Sequence, residues 1–266
     1  MANKTLAFSF FTIMEPQQNT SPMIPIAIIV GFSIIAVAIF LSGGRQPAVT
    51  QNQPTPATRA EATAPIRMVD ETDFIRGNPN ATIMIVEYSD YECPFCKQYH
   101  TIMRQIIDEY GASGRVGWVY RQLPVPQLHP NAPRISEAAL CVGDLGGNAA
   151  FWEFSDIIFD SRGLQDVVNI TRLPEFAEQA GVSRRDFNAC MDDGRMRPAV
   201  ESSMREAFEA GIRVTPYTVV MVGTDVDIIE GVVSYDILKG VIEDLLQQLD
   251  GGTASLPATE PIEPAE

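Results

Sequence analysis

Positive charge is scarce in this chain: 19 Lys and Arg stand against 34 Asp and Glu, for a net charge of −15. The imbalance is uneven. Residues 1–64 carry Lys4, Arg45 and Arg59 against Glu15 and Glu61, so the acidity falls on residues 65–266. Such a surface repels phosphate backbones, which argues against nucleic acid as a partner and against tight electrostatic binding to anionic lipid. Histidine is limited to His100 and His129, and cysteine to Cys93, Cys96, Cys141 and Cys190. Zinc needs two closely spaced pairs of ligands, and beyond Cys93 and Cys96 no second pair is evident. No metal and no cofactor is expected. An even number of cysteines is compatible with two disulfides and therefore with an oxidising compartment.

Charge is missing altogether between Glu15 and Arg45, and residues 23–42 are almost entirely apolar. About 20 helical residues match a bilayer core of about 30 Å. A cleaved signal would have a shorter apolar run and an A-x-A-like site, which Leu41-Ser42-Gly43-Gly44 does not supply. No cysteine follows closely, so a lipoprotein signal is absent. The reading is an uncleaved signal-anchor; a cleaved signal and a buried core helix are the alternatives. Lys4 on one side and Arg45 and Arg59 on the other do not decide the orientation. The cysteines carry the expectation that the folded domain is extracytoplasmic. The expected order is an N-terminal segment 1–22, a transmembrane anchor 23–42, a flexible linker 43–64, a folded domain 65–249 and a disordered tail 250–266. Linker and tail are rich in Pro and small or polar residues. No internal repeat is visible.

Within the folded part, residues 82–88 form a short β-branched apolar run flanked by Asn78-Pro79-Asn80 and Ser89-Asp90, which reads as a buried strand. Tyr99, Ile102, Met103, Ile106, Ile107 and Tyr110 then fall on one face of a helix that stops at Gly111. Residues 116–121 read as the next strand, which makes a β–α–β unit with a parallel pair. Prolines 124, 126, 130 and 133 interrupt the chain. Helices are predicted at 134–142, 149–159, 173–180, 184–191 (capped by Ser183) and 201–210. Strands come next at 217–221 and 226–233, and a last amphipathic helix at 235–249.

Cys93-Pro94-Phe95-Cys96 opens the first helix. Cysteines at i and i+3 share a side and can bridge. Pro94 suits the first turn, where its missing N–H costs nothing. The free N–H groups of that turn favour a thiolate on the outer Cys93, which makes it nucleophile and good leaving group. Glu87 shares strand parity with Ile83 and Ile85 and points to a core layer, where burial raises a carboxyl pKa and equips it to move protons for Cys96. The alternative is a strand end that reaches water. Glu92 beside Cys93 opposes thiolate formation and moderates the oxidising strength. His100 and His129 read as surface residues, and Trp118 and Trp152 as packing.

The segments from Gly77 to Ala81 and from Val86 through Cys96, together with Gly211-Ile212-Arg213-Val214-Thr215-Pro216-Tyr217, resemble the DsbA-like family of thioredoxin-fold proteins. The resemblance spans about residues 65–249. It implies an α/β thioredoxin fold with an inserted helical domain at about 124–210, here preceded by one transmembrane helix. It implies that Pro216 is the family's cis-proline beside the dithiol, that Thr215 pairs with substrate main chain, and that Glu87 is the buried acid beneath the dithiol. Cys141 and Cys190 fall in two helices of the inserted block with small or apolar flanks. That favours a structural disulfide over two reduced thiols or a second redox centre. The function implied is oxidation of cysteine pairs in exported proteins by Cys93–Cys96, with a membrane partner restoring the disulfide. A reductase or isomerase, and a membrane-tethered zinc-binding or interaction module, are the alternatives.

Overall fold

A computed structural model describes residues 66–252. The N-terminal segment 1–22, the anchor read at 23–42, the linker at 43–64 and residues 253–266 of the expected tail lie outside the described residues, while Asp250, the first residue of that tail, ends the last helix. Among the described residues no helix is long and apolar enough to cross a membrane.

The elements run β1 (Ile75–Gly77), β2 (Ile83–Ser89), α1 (Pro94–Tyr110), β3 (Val116–Gln122), α2 (Ala132–Asp160), α3 (Leu173–Gln179), α4 (Arg184–Asp193), α5 (Arg197–Glu209), β4 (Tyr217–Val222), β5 (Asp225–Glu230) and α6 (Tyr235–Asp250). The sheet order is β1-β3-β2-β4-β5. β2 is central, parallel to β3 across the α1 crossover and antiparallel to β4. β1 adds antiparallel to β3. With three residues it is too short to leave a periodic signal.

Every residue of β2 is buried, because both sheet faces are covered. Ile83 and Ile85 face a core shared with α1, α2 and α6, through Met103, Ile106, Phe151, Leu238 and Ile242. Met84, Val86 and Tyr88 face a second core that includes Ala207 of α5. Glu87 falls on the first of these faces by strict alternation. A carboxyl is thereby carried into an apolar layer.

Helices α2 to α5 form the insertion. α2 is broken at Gly147, whose φ of 77° and ψ of −172° are not helical, so it corresponds to the two helices read at 134–142 and 149–159. It begins at Ala132, with Pro133 in its first turn. α5 likewise begins at Arg197 with Pro198 in its first turn, ahead of the expected 201. A proline costs nothing there. β5 ends at Glu230, short of the expected 233, where Gly231 takes a φ of 77°. The insertion docks on the core through aromatic rings: Trp152 lies 4.5 Å from Trp118 and Phe159 5.3 Å from Tyr91, both tilted, and Tyr91 itself stacks at 4.9 Å on Tyr120 of β3. Such pairs contribute about 0.5–1.5 kcal/mol each beyond their area.

Cys141 of α2 and Cys190 of α4 are joined, with Cα atoms 5.9 Å apart and a sequence separation of 49. Closing a loop of that size lowers the entropy of the unfolded chain. Replacing both cysteines by alanine is expected to lower the unfolding free energy by about 4 kcal/mol. Urea titration under non-reducing conditions measures this, and an unchanged midpoint would contradict a bracing role.

Candidate active site

Cys93 is the N-cap of α1, and Pro94 occupies its first turn. No side chain caps the helix and no acid lies in its first turn. The free N–H groups therefore converge on the Cys93 sulfur. Its thiol is lowered to about 6, first by a hydrogen bond from the Cys96 thiol, against the effect of burial, and further by the N–H groups of Cys96 and Phe95. The Cys93 Sγ also lies 3.6 Å from the Thr215 carbonyl. Cys96 is fully buried, and burial pushes its thiol well above the ordinary value, helped by the adjacent Cys93. The Asp90 N–H donates to its Sγ at 3.5 Å. Both sulfurs are free thiols in this structure. At pH 7 a thiol of pKa about 6 is about 90% thiolate, whereas one at about 9 is about 1% thiolate.

The loop before β4 closes over this dithiol. The Thr215–Pro216 peptide bond is cis, and the Cys93 contact places it directly beside the nucleophile. Phe95 within the motif is 59% exposed and Val214 is 46% exposed. The rim is apolar on both sides of Cys93.

Beneath it, Glu87 is fully buried. The strand-end alternative, in which it reaches water, does not hold, because β4 and β3 flank it at Thr218 and Tyr120. Burial raises its carboxyl to about 7 and the charge of Cys93 adds to the rise, while a hydrogen bond from the Trp118 indole N–H at 3.0 Å opposes it. In the sequence Trp118 is legible only as packing. Its register two residues from the Glu87 partner on β3 is the signal that could name it as a donor.

Three side chains flanking the motif tie it to the insertion. Asp90 accepts from the Glu92 N–H and the Val125 N–H, both at 2.7 Å, and its Oδ2 lies 2.9 Å from His129 Nδ1. Glu92, expected to weaken the Cys93 thiolate, turns into the insertion. It accepts from the Asn131 N–H at 3.1 Å, the Asn131 amide at 3.3 Å and the Val168 N–H at 3.1 Å. Arg162 donates to the main chain of the motif. No spacing signal ties Arg162 to the motif, because the motif carbonyls it reaches are some seventy residues away.

His100 corrects the sequence reading. It is buried, not on the surface, with Nε2 2.7 Å from Asp156 Oδ1 and its ring 4.4 Å from Phe159. It stands on the buried stripe of α1 between Cys96 and Met103, so helical spacing carries it inward. Burial lowers its pKa and favours the neutral ring. His129 is half-buried against Asp90. Trp118 and Trp152 are core residues. Among the described residues no group of three or more His, Cys, Asp or Glu is placed to hold a metal.

The Glu87 environment has a pH consequence. Its folded pKa of about 7 exceeds the ordinary 4.5, so the fold favours the protonated acid. The stability this contributes is complete below about pH 4.5 and is lost as pH rises through about 7. Glu87→Gln keeps an acceptor for Trp118 and stays neutral. It is expected to match the wild type near pH 5 and to exceed it by about 2–3 kcal/mol near pH 8. Chemical denaturation at the two pH values checks this, and equal stability at pH 8 would count against a buried ionisable Glu87.

Residues 69–244 match the family model described as thioredoxin. Among solved structures, Wolbachia pipientis alpha-DsbA1 superposes with a TM-score of 0.60 at 18% identity, over 70% of this chain and 97% of that one. Oxidised BdbD from Bacillus subtilis gives 0.58 at 21% identity, over 66% and 93%. Pseudomonas aeruginosa DsbA2 gives 0.57 at 25% identity, over 69% and 99%. Among curated proteins, 131 residues are 29% identical to a putative protein-disulfide oxidoreductase of Rickettsia bellii, over 48% of each chain. A stretch of 146 residues is 30% identical to Na(+)/H(+) antiporter NhaA 3 of Salinispora tropica, over 55% of this chain and 21% of that protein. The chain thus spans between a fifth and a half of the length of these curated relatives. The fold has the DsbA-like form, with a helical block inserted between β3 and β4, and the chain belongs to the thioredoxin family.

Proposed function

We propose that this protein is an extracytoplasmic thiol–disulfide oxidoreductase that oxidises cysteine pairs of exported proteins through Cys93–Cys96. One observation carries the reading: the two thiols are unequal. Cys93 sits at an uncapped helix start with its thiol lowered to about 6, and Cys96 is sealed beneath it with its thiol raised.

The asymmetry sets the order of events. A substrate thiolate attacks Cys93 Sγ of the oxidised pair. The Cys93–Cys96 bond breaks, its electron pair leaves on Cys96, and Cys96 takes a proton from Glu87. A second substrate thiolate attacks the substrate sulfur of the mixed disulfide and releases Cys93 as a thiolate. The substrate dithiol loses two electrons and the enzyme pair gains them. One substrate proton ends on Cys96 by way of Glu87; the other goes to solvent. A stable Cys93 thiolate favours the reduced enzyme, and that makes its disulfide an oxidant.

Thr215 and Pro216 are the residues against which substrate main chain lies, with Phe95 and Val214 as the apolar rim. The Cys141–Cys190 bond supports an oxidising compartment. The apolar segment 23–42 is the tether in this reading, and a membrane partner that reoxidises Cys93–Cys96 completes the cycle. The name of the Rickettsia relative, a putative protein-disulfide oxidoreductase, agrees with the reaction class.

The oxidised protein is expected to convert a reduced peptide with two cysteines to its disulfide, one equivalent per protein. Cys93→Ser should abolish this. Cys96→Ser, presented with substrate disulfide, should accumulate a mixed disulfide at Cys93 that mass spectrometry locates. Trapping at another cysteine, or full turnover by Cys93→Ser, would overturn the assignment.

A further inference from the structure

Arg162 lies just beyond the C-terminal end of α2, where the insertion returns toward the dithiol. The residue is 6% exposed. Its Nε and Nη2 donate to the Tyr91 carbonyl at 3.2 and 3.0 Å, and Nη2 also donates to the Cys93 carbonyl at 3.0 Å. Nη1 donates to the carbonyls of Gly163, Leu164 and Asp166 at 3.3, 3.1 and 3.2 Å. Every one of these acceptors is a neutral main-chain oxygen.

The two carboxylates whose charge acts on it have other hydrogen-bond partners. Glu92 accepts from Asn131 and Val168, and Asp90 from Glu92, Val125 and His129. The guanidinium is thus a buried cation with no carboxylate among its hydrogen-bond partners. A buried charge costs several kcal/mol unless another charge compensates it. Neutral donors could satisfy carbonyls, so bracing alone does not call for a cation here. The acidic groups whose charge acts on Arg162 are Glu92, Cys93, Asp90 and Cys96. Lys97, which donates to the Phe159 carbonyl, is a like charge close enough to Arg162 for the two to act on each other. Of the acidic groups, Cys93 is the one whose charge appears and disappears in the reaction.

We propose that Arg162 is a positioning residue of the redox centre: its buried guanidinium fixes the Tyr91–Cys93 main chain and supplies a standing positive charge that favours the Cys93 thiolate. The inserted helical block then helps set the oxidising strength of a dithiol that belongs to the thioredoxin core. This inference rests on Cys93 being the reactive thiolate.

The test uses the full chain, reduced, with Arg162→Gln and Arg162→Lys beside the wild type. Thiolate ultraviolet absorbance against pH gives the Cys93 pKa, and equilibration with glutathione gives the potential. In R162Q the pKa is expected to rise by about one unit. The equilibrium should shift about tenfold against the reduced enzyme, a potential lower by about 30 mV. R162K keeps the charge and should stay within about 0.3 units of the wild type. A folded R162Q with unchanged pKa and potential overturns the proposal, as does an R162K that shifts as far as R162Q. If R162Q does not fold, R162K decides: a pKa near the wild type supports the role of the charge and a full-unit rise defeats it. Alkylation of the wild type at Cys96 in place of Cys93 would remove the premise. It is read on the wild type alone, so the two failures are distinguishable.

Discussion

The uncapped first turn of α1 is the constraint on which the site depends. A Ser, Thr, Asp or Asn side chain at a helix start can accept from its free N–H groups, as Ser183 does for α4 and Ser234 for α6. Here the N-cap is Cys93 and no side chain takes that place. The donors are left for a sulfur that ionises. Pro94 removes one N–H without loss and holds the turn in helical geometry. The local cost of a missing cap thus becomes a chemical property of Cys93.

Everything around that turn keeps the charge difference between the two sulfurs. β2 ends where the motif begins, and its alternation delivers Glu87 beneath the dithiol while Ile83 and Ile85 fill the core. The cis Thr215–Pro216 segment sets a carbonyl against Cys93 from the other side. The insertion contributes main-chain donors to Glu92 and the guanidinium of Arg162, so the acidic residue beside the nucleophile is engaged by the neighbouring layer. Motif and insertion are locked by charge-assisted hydrogen bonds that each contribute about 1.5–3 kcal/mol.

The parts legible in the sequence are those that depend on local pattern. The run at 82–88, observed as the strand Ile83–Ser89, the helical stripe from Tyr99 to Tyr110 and the Ser183 cap all follow from period and capping chemistry. The helix start at Ala132 lies ahead of its expected place because Pro133 reads as a breaker and is in fact a first-turn residue, and Pro198 likewise stands in the first turn of the helix that starts at Arg197. The short β1 has no periodic signal. His100 reads as polar and therefore exposed, although its position on α1 outranks its polarity. Residues that act on main chain far away in sequence, Arg162 above all, leave no mark in a single chain. Glu92 is legible as a charge beside Cys93, but its direction is not, since side-chain orientation at that position is set by the insertion.

The direction of electron flow follows from the stability of the Cys93 thiolate, and the reduction potential of Cys93–Cys96 tests it most directly. Reference potentials run from about −270 mV for thioredoxin to about −120 mV for DsbA, a span of about 7 kcal/mol. Equilibration of the full chain against glutathione at neutral pH is the measurement. The account predicts a potential above about −200 mV, in the range of dithiols that give disulfides to their substrates. A value near about −270 mV would contradict it and make the protein a reductant.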